Sequence, residues 1–295
     1  MKLPKKSLKD ALALGLHPPT IPVWIKDIDT RKGRKPDVVA VDTECTGLNW
    51  SKEHRPFAIS MAWYDPLTEE MRQAYYDWPV DPFTRMPQYS IGGTNLFTSY
   101  WCDPSITKVF ANAKYDLHML DQLPFIGKPR GKIEDVLVMA WCCNTMELSY
   151  RLNDLAEKYL GVTQTESVLL KKKVQEARNS IKGMGYNAGP NISQIAQDYW
   201  LLKFLDHNDK TCEIYALKDA GPRTLDLYYF YQQALDEPSL RETYDREMQV
   251  MHPIYAMECR GIRFHEKECL KTNSSTFHCI NRMHYLHFSI IGFPQ

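Results

Sequence analysis

At 295 residues and 44% hydrophobic content, the chain can bury a sizeable core, as one large domain or one domain with an appendage. No stretch approaches the roughly 20 apolar residues of a membrane span, and the basic opening Met1–Asp10 lacks a secretory apolar segment, so a cytoplasmic protein without membrane contact is expected. The net charge is zero but uneven: nine Lys/Arg against three Asp/Glu through Pro36 leave the opening at +6 and the remainder at −6, which suits a phosphate contact by the arm and equally a solvated tail.

Residues 1–36 read as a basic N-terminal arm, with prolines at 4, 18, 19, 22 and 36 and the run Arg31-Lys32-Gly33-Arg34-Lys35. A first strand follows at about 37–43. Phe57–Trp63 and Glu70–Trp78 are aromatic-rich strands parted by the turn signal Asp65-Pro66, and together they predict an antiparallel meander. The loop-rich stretch 79–106 leads to a short strand, Lys108–Ala111, and a helix over Lys114–Gln122. Further helices are predicted over Glu134–Thr145 and Leu152–Leu160, the second stopped by Gly161. Residues 161–195 read as a variable insertion, mobile or partly helical, whose Lys171-Lys172-Lys173 run is most simply a solvated face. A long helix over Lys210–Ala234 contains Gly221-Pro222, where a kink is expected because proline disrupts a helix interior. From about Leu240 another helix leads to Arg260-Gly261-Ile262. Strands first, then alternating helices and strand, predict one α/β domain over 37–240 with a mixed sheet, antiparallel meander plus parallel strands, flanked by helices.

The chemistry is concentrated in three segments. In Val38-Val39-Ala40-Val41-Asp42-Thr43-Glu44, Asp42 and Glu44 are two apart on a strand and therefore share a face. Two carboxylates on one face of an apolar strand repel each other unless a cation lies between them, and hard divalent ions take such oxygen ligands. The second segment is Asn112-Ala113-Lys114-Tyr115-Asp116, where a strand ends and a helix begins. In the third, Tyr215-Ala216-Leu217-Lys218-Asp219, Tyr215 and Asp219 are four apart and share a helix face. Taken singly, Asp116 also reads as a helix N-terminal acid, Tyr215 as core packing and Asp219 as a solvated acid; Asp135 reads as a helix-start acid, with support of the site as the alternative.

Asp-x-Glu, Asn-x-x-x-Asp and Tyr-x-x-x-Asp, in this order over about 37–235, resemble the tyrosine-type branch of the DEDD 3′–5′ exonucleases, which includes RNase D and the proofreading domains of family A DNA polymerases. Asp42-Thr43-Glu44-Cys45-Thr46-Gly47-Leu48 and the helix Leu152–Gly161 strengthen the resemblance. It implies a ribonuclease H-like fold and two divalent cations, Mg²⁺ or Mn²⁺, held by Asp42, Glu44, Asp116 and Asp219, with Tyr215 orienting the attacking water. It also implies substrate contacts by Thr43 (terminal nucleotide), Leu48 (a wedge against the last bases) and Asn112 (a phosphate or sugar oxygen), although Leu48 and Asn112 read equally as core and turn residues. The implied partner is a single-stranded or frayed DNA 3′ end.

The stretch Glu247–Ile262 resembles the connector that leads from a proofreading domain into a polymerase domain, which divides the chain at about 241 and makes a separate polymerase subunit a conceivable partner. No polymerase motif follows, and 270–295 read as an irregular tail, so a stand-alone exonuclease or a truncated polymerase is expected. Eight cysteines without regular spacing fit buried, reduced thiols. A zinc site among Cys259, Cys269, Cys279, His278, His284 and His287 matches no compact ligand pattern. Two rival functions are an RNase D-like exoribonuclease, disfavoured by the connector, and a non-catalytic nucleic-acid-binding module, disfavoured by the complete set of site residues.

Overall fold

A computed structural model of the chain describes residues 35–51, 54–81, 84–90, 94–123, 125–183 and 198–261. The basic run Arg31–Arg34, the tail 270–295 and the zinc candidates other than Cys259 lie outside them. The first strand, β1 (Val38–Cys45), shows the alternation that organises everything else. Val39 and Val41 face one layer and Ala40 faces the other, as the two-residue period of a strand requires.

β1 pairs antiparallel with β2 (Pro56–Tyr64), which pairs antiparallel with β3 (Met71–Asp77). On its other side β1 runs parallel to β4 (Thr107–Phe110), itself parallel to β5 (Ile133–Asp135). The order is β3-β2-β1-β4-β5. This is the expected meander plus parallel strands, and with its helices it forms the ribonuclease H-like fold. The fifth strand corrects the sequence expectation: Glu134 and Asp135 end a strand, and helix α3 (Val136–Cys143) begins only after them. The edge of β4 recruits Ile133–Asp135 into the sheet, and the Asp135 carboxylate then caps α3 by accepting from Leu137 N at 2.8 Å.

On the Val39 face lie α1 (Asn95–Trp101), inside the stretch read as loop, and α2 (Ala113–Leu120). On the Ala40 face lie α3, α4 (Leu152–Leu160), α8 (Asp226–Ala234) and α9 (Pro238–Arg260). Gly161 ends α4 in the left-handed region at φ 68°, as a C-terminal glycine does. A third cluster joins Phe57, Ala58 and Tyr75 to α5 (Thr165–Gly183), α6 (Trp200–Leu205) and α7 (Thr211–Lys218). Side chains such as Ile59, Met61 and Phe110 are fully buried, each contributing about 1.5–3 kcal/mol, and this core fixes the strand ends.

The polar stretch after Gly161 is thus largely a 19-residue helix. Leu170, Val174, Ala177 and Arg178 form its buried stripe, while Lys171 and Lys172 are exposed. Its apolar periodicity is blurred because two buried positions carry charge, Glu166 and Arg178, each with an ionic partner. Among the described residues no helix is long and apolar enough to cross a membrane.

Candidate active site

Continuing the Ala40 face, Asp42 and Glu44 point to the layer that holds Asp219. Oxygens of Asp42, Glu44 and Asp219 lie within 4.8 Å of one another. A register shift between Glu44 and Cys45 ends the regular pairing with β2 beside them, an irregularity common next to active sites. Thr43 continues the Val39 face, towards α2, and its hydroxyl donates to Asp116 Oδ1 at 2.6 Å. Asp116 therefore joins from the opposite layer, around the sheet end, and its charge is felt by both Asp42 and Glu44.

Asp219 is placed by an irregular helix. Within Thr211–Ala234 the Gly221-Pro222 pair falls in Asp219–Leu225, which widens into a π-helical segment between α7 and α8. Pro222 lacks the N–H that an α-helix would use, and its ring would strike the preceding turn, so the wider register accommodates it. The Leu217 carbonyl accepts from Gln73 Nε2 at 2.5 Å instead. Gly221 permits that approach, because a Cβ there would stand 2.5 Å from Gln73 Nε2 and 2.8 Å from Met71 Sδ. Tyr215, half-buried and packed edge-on against Tyr199, stands close enough to Asp219 for each to influence the other's charge.

The electrostatics are those of crowded anions. Burial first, then Asp116, Glu44 and Asp219, pushes the Asp42 carboxyl well above its usual range. Glu44 is pushed well up by burial and by Asp219 and Asp116. Burial raises Asp116 to about 8, with the Thr43 hydrogen bond opposing. Asp219 is also raised by burial, but less freely, because Arg223 and Tyr215 favour its charged form. A set of hard oxygen donors that resist ionising together fits a divalent cation, which removes the repulsion by binding.

Leu48 is half-buried just beyond β1. Asn112 is exposed at φ 76° before α2, with no side-chain capping bond. Neither belongs to the acid cluster. Asp135 caps α3 as read, and it also accepts from Ala113 N at 2.7 Å and Asn112 N at 3.3 Å, so it clasps the start of the helix that carries Asp116. The sequence reading missed Glu166, Lys218 and Arg223, a buried ionic group joined to Asp219. The i,i+4 pair Asp219–Arg223 was its available signal. Cys142 and Cys143 are half-buried free thiols, and Cys259 is free and exposed.

The family profile for the 3′–5′ exonuclease of the DNA polymerase A type matches residues 25–208. That span includes Asp42, Glu44 and Asp116 and stops before Tyr215 and Asp219. The DNA polymerase DpoZ of Salmonella phage PMBT28 is 25% identical over 236 residues, 78% of this chain and 32% of the polymerase. DpoZ of Acinetobacter phage SH-Ab 15497 is 29% identical over 134 residues, 44% of this chain and 18% of the polymerase. The matches thus span a third or less of these curated relatives. Among solved structures, Brucella melitensis NrnC superimposes with a TM-score of 0.51 at 16% identity, covering 78% of this chain and 88% of NrnC. NrnC with bound Mg²⁺ gives 0.50 at 14% identity, covering 78% and 89%. At such identities the likeness is one of fold.

Proposed function

Because the chain belongs to the 3′–5′ exonuclease family of the DNA polymerase A type, we propose that it removes nucleoside monophosphates one at a time from DNA 3′ ends, as a proofreading-type domain over about 37–240. The observation that carries this reading is the meeting of Asp42 and Glu44 from β1 with Asp219 from the π segment, within 4.8 Å, beside an Asp116 bound to Thr43. Asp42, Glu44, Asp116 and Asp219 would hold two divalent cations, Mg²⁺ or Mn²⁺. When bound, such ions supply Lewis acidity for water and offset charge at the leaving 3′ oxygen.

The chain's own groups orient and exclude. Tyr215, whose phenol is pushed well above its usual range by burial and by Asp219, stays protonated and directs the attacking water without acting as its base. The Thr43 backbone faces the terminal nucleotide, while its hydroxyl is committed to Asp116. Leu48 wedges against the last base, and the exposed Asn112 amide takes a phosphate or sugar oxygen. A paired 3′ end cannot splay across such a slot, so single-stranded or frayed ends are preferred. A polymerase, fused or separate, is the proposed source of those ends.

The test is shortening of a 5′-labelled single-stranded DNA with Mg²⁺ or Mn²⁺, run beside an RNA of equal sequence. Cleavage from the 3′ end, stopped by chelator, is expected on DNA; RNA as the better substrate would instead favour the exoribonuclease reading. Asp42→Ala and Asp219→Ala are expected to abolish activity in a folded protein, and Tyr215→Phe to leave a fraction. Full activity in Asp42→Ala would overturn the assignment.

A further inference from the structure

Asp219 is not a free acid awaiting a cation. Arg223, fully buried one turn further along the π segment, donates through one guanidinium nitrogen to Asp219 Oδ1. Its other terminal nitrogen donates to Glu166 Oε1 and, at 3.2 Å, to the Thr163 carbonyl. Glu166 stands in the first turn of α5, and its second oxygen accepts from Lys218 Nζ at 2.5 Å. Lys218 also donates to the Thr163 carbonyl, at 2.7 Å. Glu166, Lys218, Arg223 and Asp219 are all buried. Burial opposes the charge on Glu166, yet Lys218 and Arg223 hold its carboxyl below the usual range. The guanidinium thus has a rigid anchor on its far side.

Stability alone gives little reason for such a group, since well-packed apolar residues in place of a buried ion pair are often neutral or stabilising. Its location gives a better one. Resting on the reading of the acid cluster as a divalent-metal site, we propose that Arg223, anchored by Glu166, is the positioning residue for Asp219. The planar fork holds one carboxylate oxygen against Glu166 and leaves the other for the ion shared with Asp42 and Glu44. Helix α5, carried by a stretch that reads as a peripheral insertion, is then a working part of the site.

Two effects of Arg223 oppose each other and can be separated. Its positive charge repels a cation, so removing charge alone would tighten metal binding. Its fork orients Asp219, so losing the fork alone would weaken it. Arg223→Lys keeps the charge and loses the fork, because an ammonium cannot bridge the two carboxylates in a fixed plane. Glu166→Gln keeps Arg223 and weakens its anchor.

Mn²⁺ binding to the full chain, without nucleic acid, is measured by calorimetry or electron paramagnetic resonance, and metal-dependent turnover is measured separately. Arg223→Lys and Glu166→Gln are expected to keep the parent's circular dichroism and to bind Mn²⁺ roughly 10–100-fold more weakly, the usual effect of losing an outer partner of a ligand. The KM for DNA should stay unchanged, and kcat should recover partly at high Mn²⁺. If Arg223→Lys does not fold, Glu166→Gln decides. Parent-like Mn²⁺ affinity with only a lower unfolding temperature would overturn the proposal, as would tighter binding in Arg223→Gln with parent-like binding in Arg223→Lys. A parent that binds no Mn²⁺ and cuts nothing would remove the metal-site reading, and the inference with it; a parent that does both leaves the variants to judge Arg223 alone.

Discussion

A single hydroxyl joins the two layers of this site: Thr43, between two acids that face one way, bonds to a third that comes from the other. Even so, burial lifts the Asp116 carboxyl from 3.8 to about 8, and Asp42 and Glu44 rise with it. Between the unfolded and folded values the folded chain keeps protons that the unfolded chain has released. For Asp116 this stability is therefore complete below about pH 4 and is lost as pH climbs through about 8. The chelated protein is expected to unfold at falling temperature from about pH 5 to about pH 8, with a shallower slope in Asp116→Asn. Mn²⁺ should restore more at the alkaline end, because metal and protons compete for the same oxygens. Thermal unfolding with and without chelator checks this, and a flat or rising profile in the chelated parent would contradict it. The acids themselves were legible in the sequence, because strand parity and the i,i+4 rule are local. Arg223 was not, since its meaning depends on Glu166, 57 residues away.

The elements that escaped the sequence are those whose form is imposed by neighbours. Ile133–Asp135 has no alternation to display over three residues, and only the edge of β4 makes it a strand. Gly221-Pro222 signals an interruption, but the sequence cannot say that a helix widens there. Here it widens, and Gln73 takes up the Leu217 carbonyl. Gly221→Ala separates two contributions. Intrinsic helix propensity alone favours alanine by about 1 kcal/mol. The new Cβ, however, would press on Gln73 Nε2 and Met71 Sδ, at 2.5 and 2.8 Å. Those atoms are the ends of flexible side chains, so the fold should survive while the Gln73 bond to Leu217 is lost. Such a bond is worth about 0.5–1.5 kcal/mol net, and leaving its buried partners unpaired costs about 1–3 kcal/mol. The variant is expected to unfold a few degrees below the parent and to lose turnover, through displacement of Asp219. A higher unfolding temperature with parent-like activity would mean that the close approach does not govern the segment.

At the scale of the molecule, helix α9 does more than lead away from the sheet. Its first half buries Tyr244 completely and Met248 nearly so. The Tyr244 hydroxyl donates to Glu134 and accepts from Asp135 N at 3.1 Å, the residue that clasps the start of α2. Its last turns return to the same helix: Glu258 accepts from Lys114 Nζ and pairs with His118 Nε2, both at 2.8 Å. His118 in turn stacks on Trp50, with ring centroids 3.7 Å apart, just beyond Leu48. Helix α9 thus grips the Asp116 helix at both ends, and a boundary near 241, natural from the sequence, cuts through it. Removing residues 238–295 would expose the surfaces under Tyr244 and Met248, which contribute about 1.5–3 kcal/mol each. A loss of roughly 3–6 kcal/mol against a typical stability of about 5–15 kcal/mol predicts an unfolding temperature lower by roughly 6–24 °C, at about 2–4 °C per kcal/mol. Glu258→Gln in the full chain should cost far less stability, because it leaves the buried half of α9 in place. If the shortened chain instead unfolds at the parent temperature and still digests DNA at the parent rate, α9 belongs to whatever follows it and not to the exonuclease.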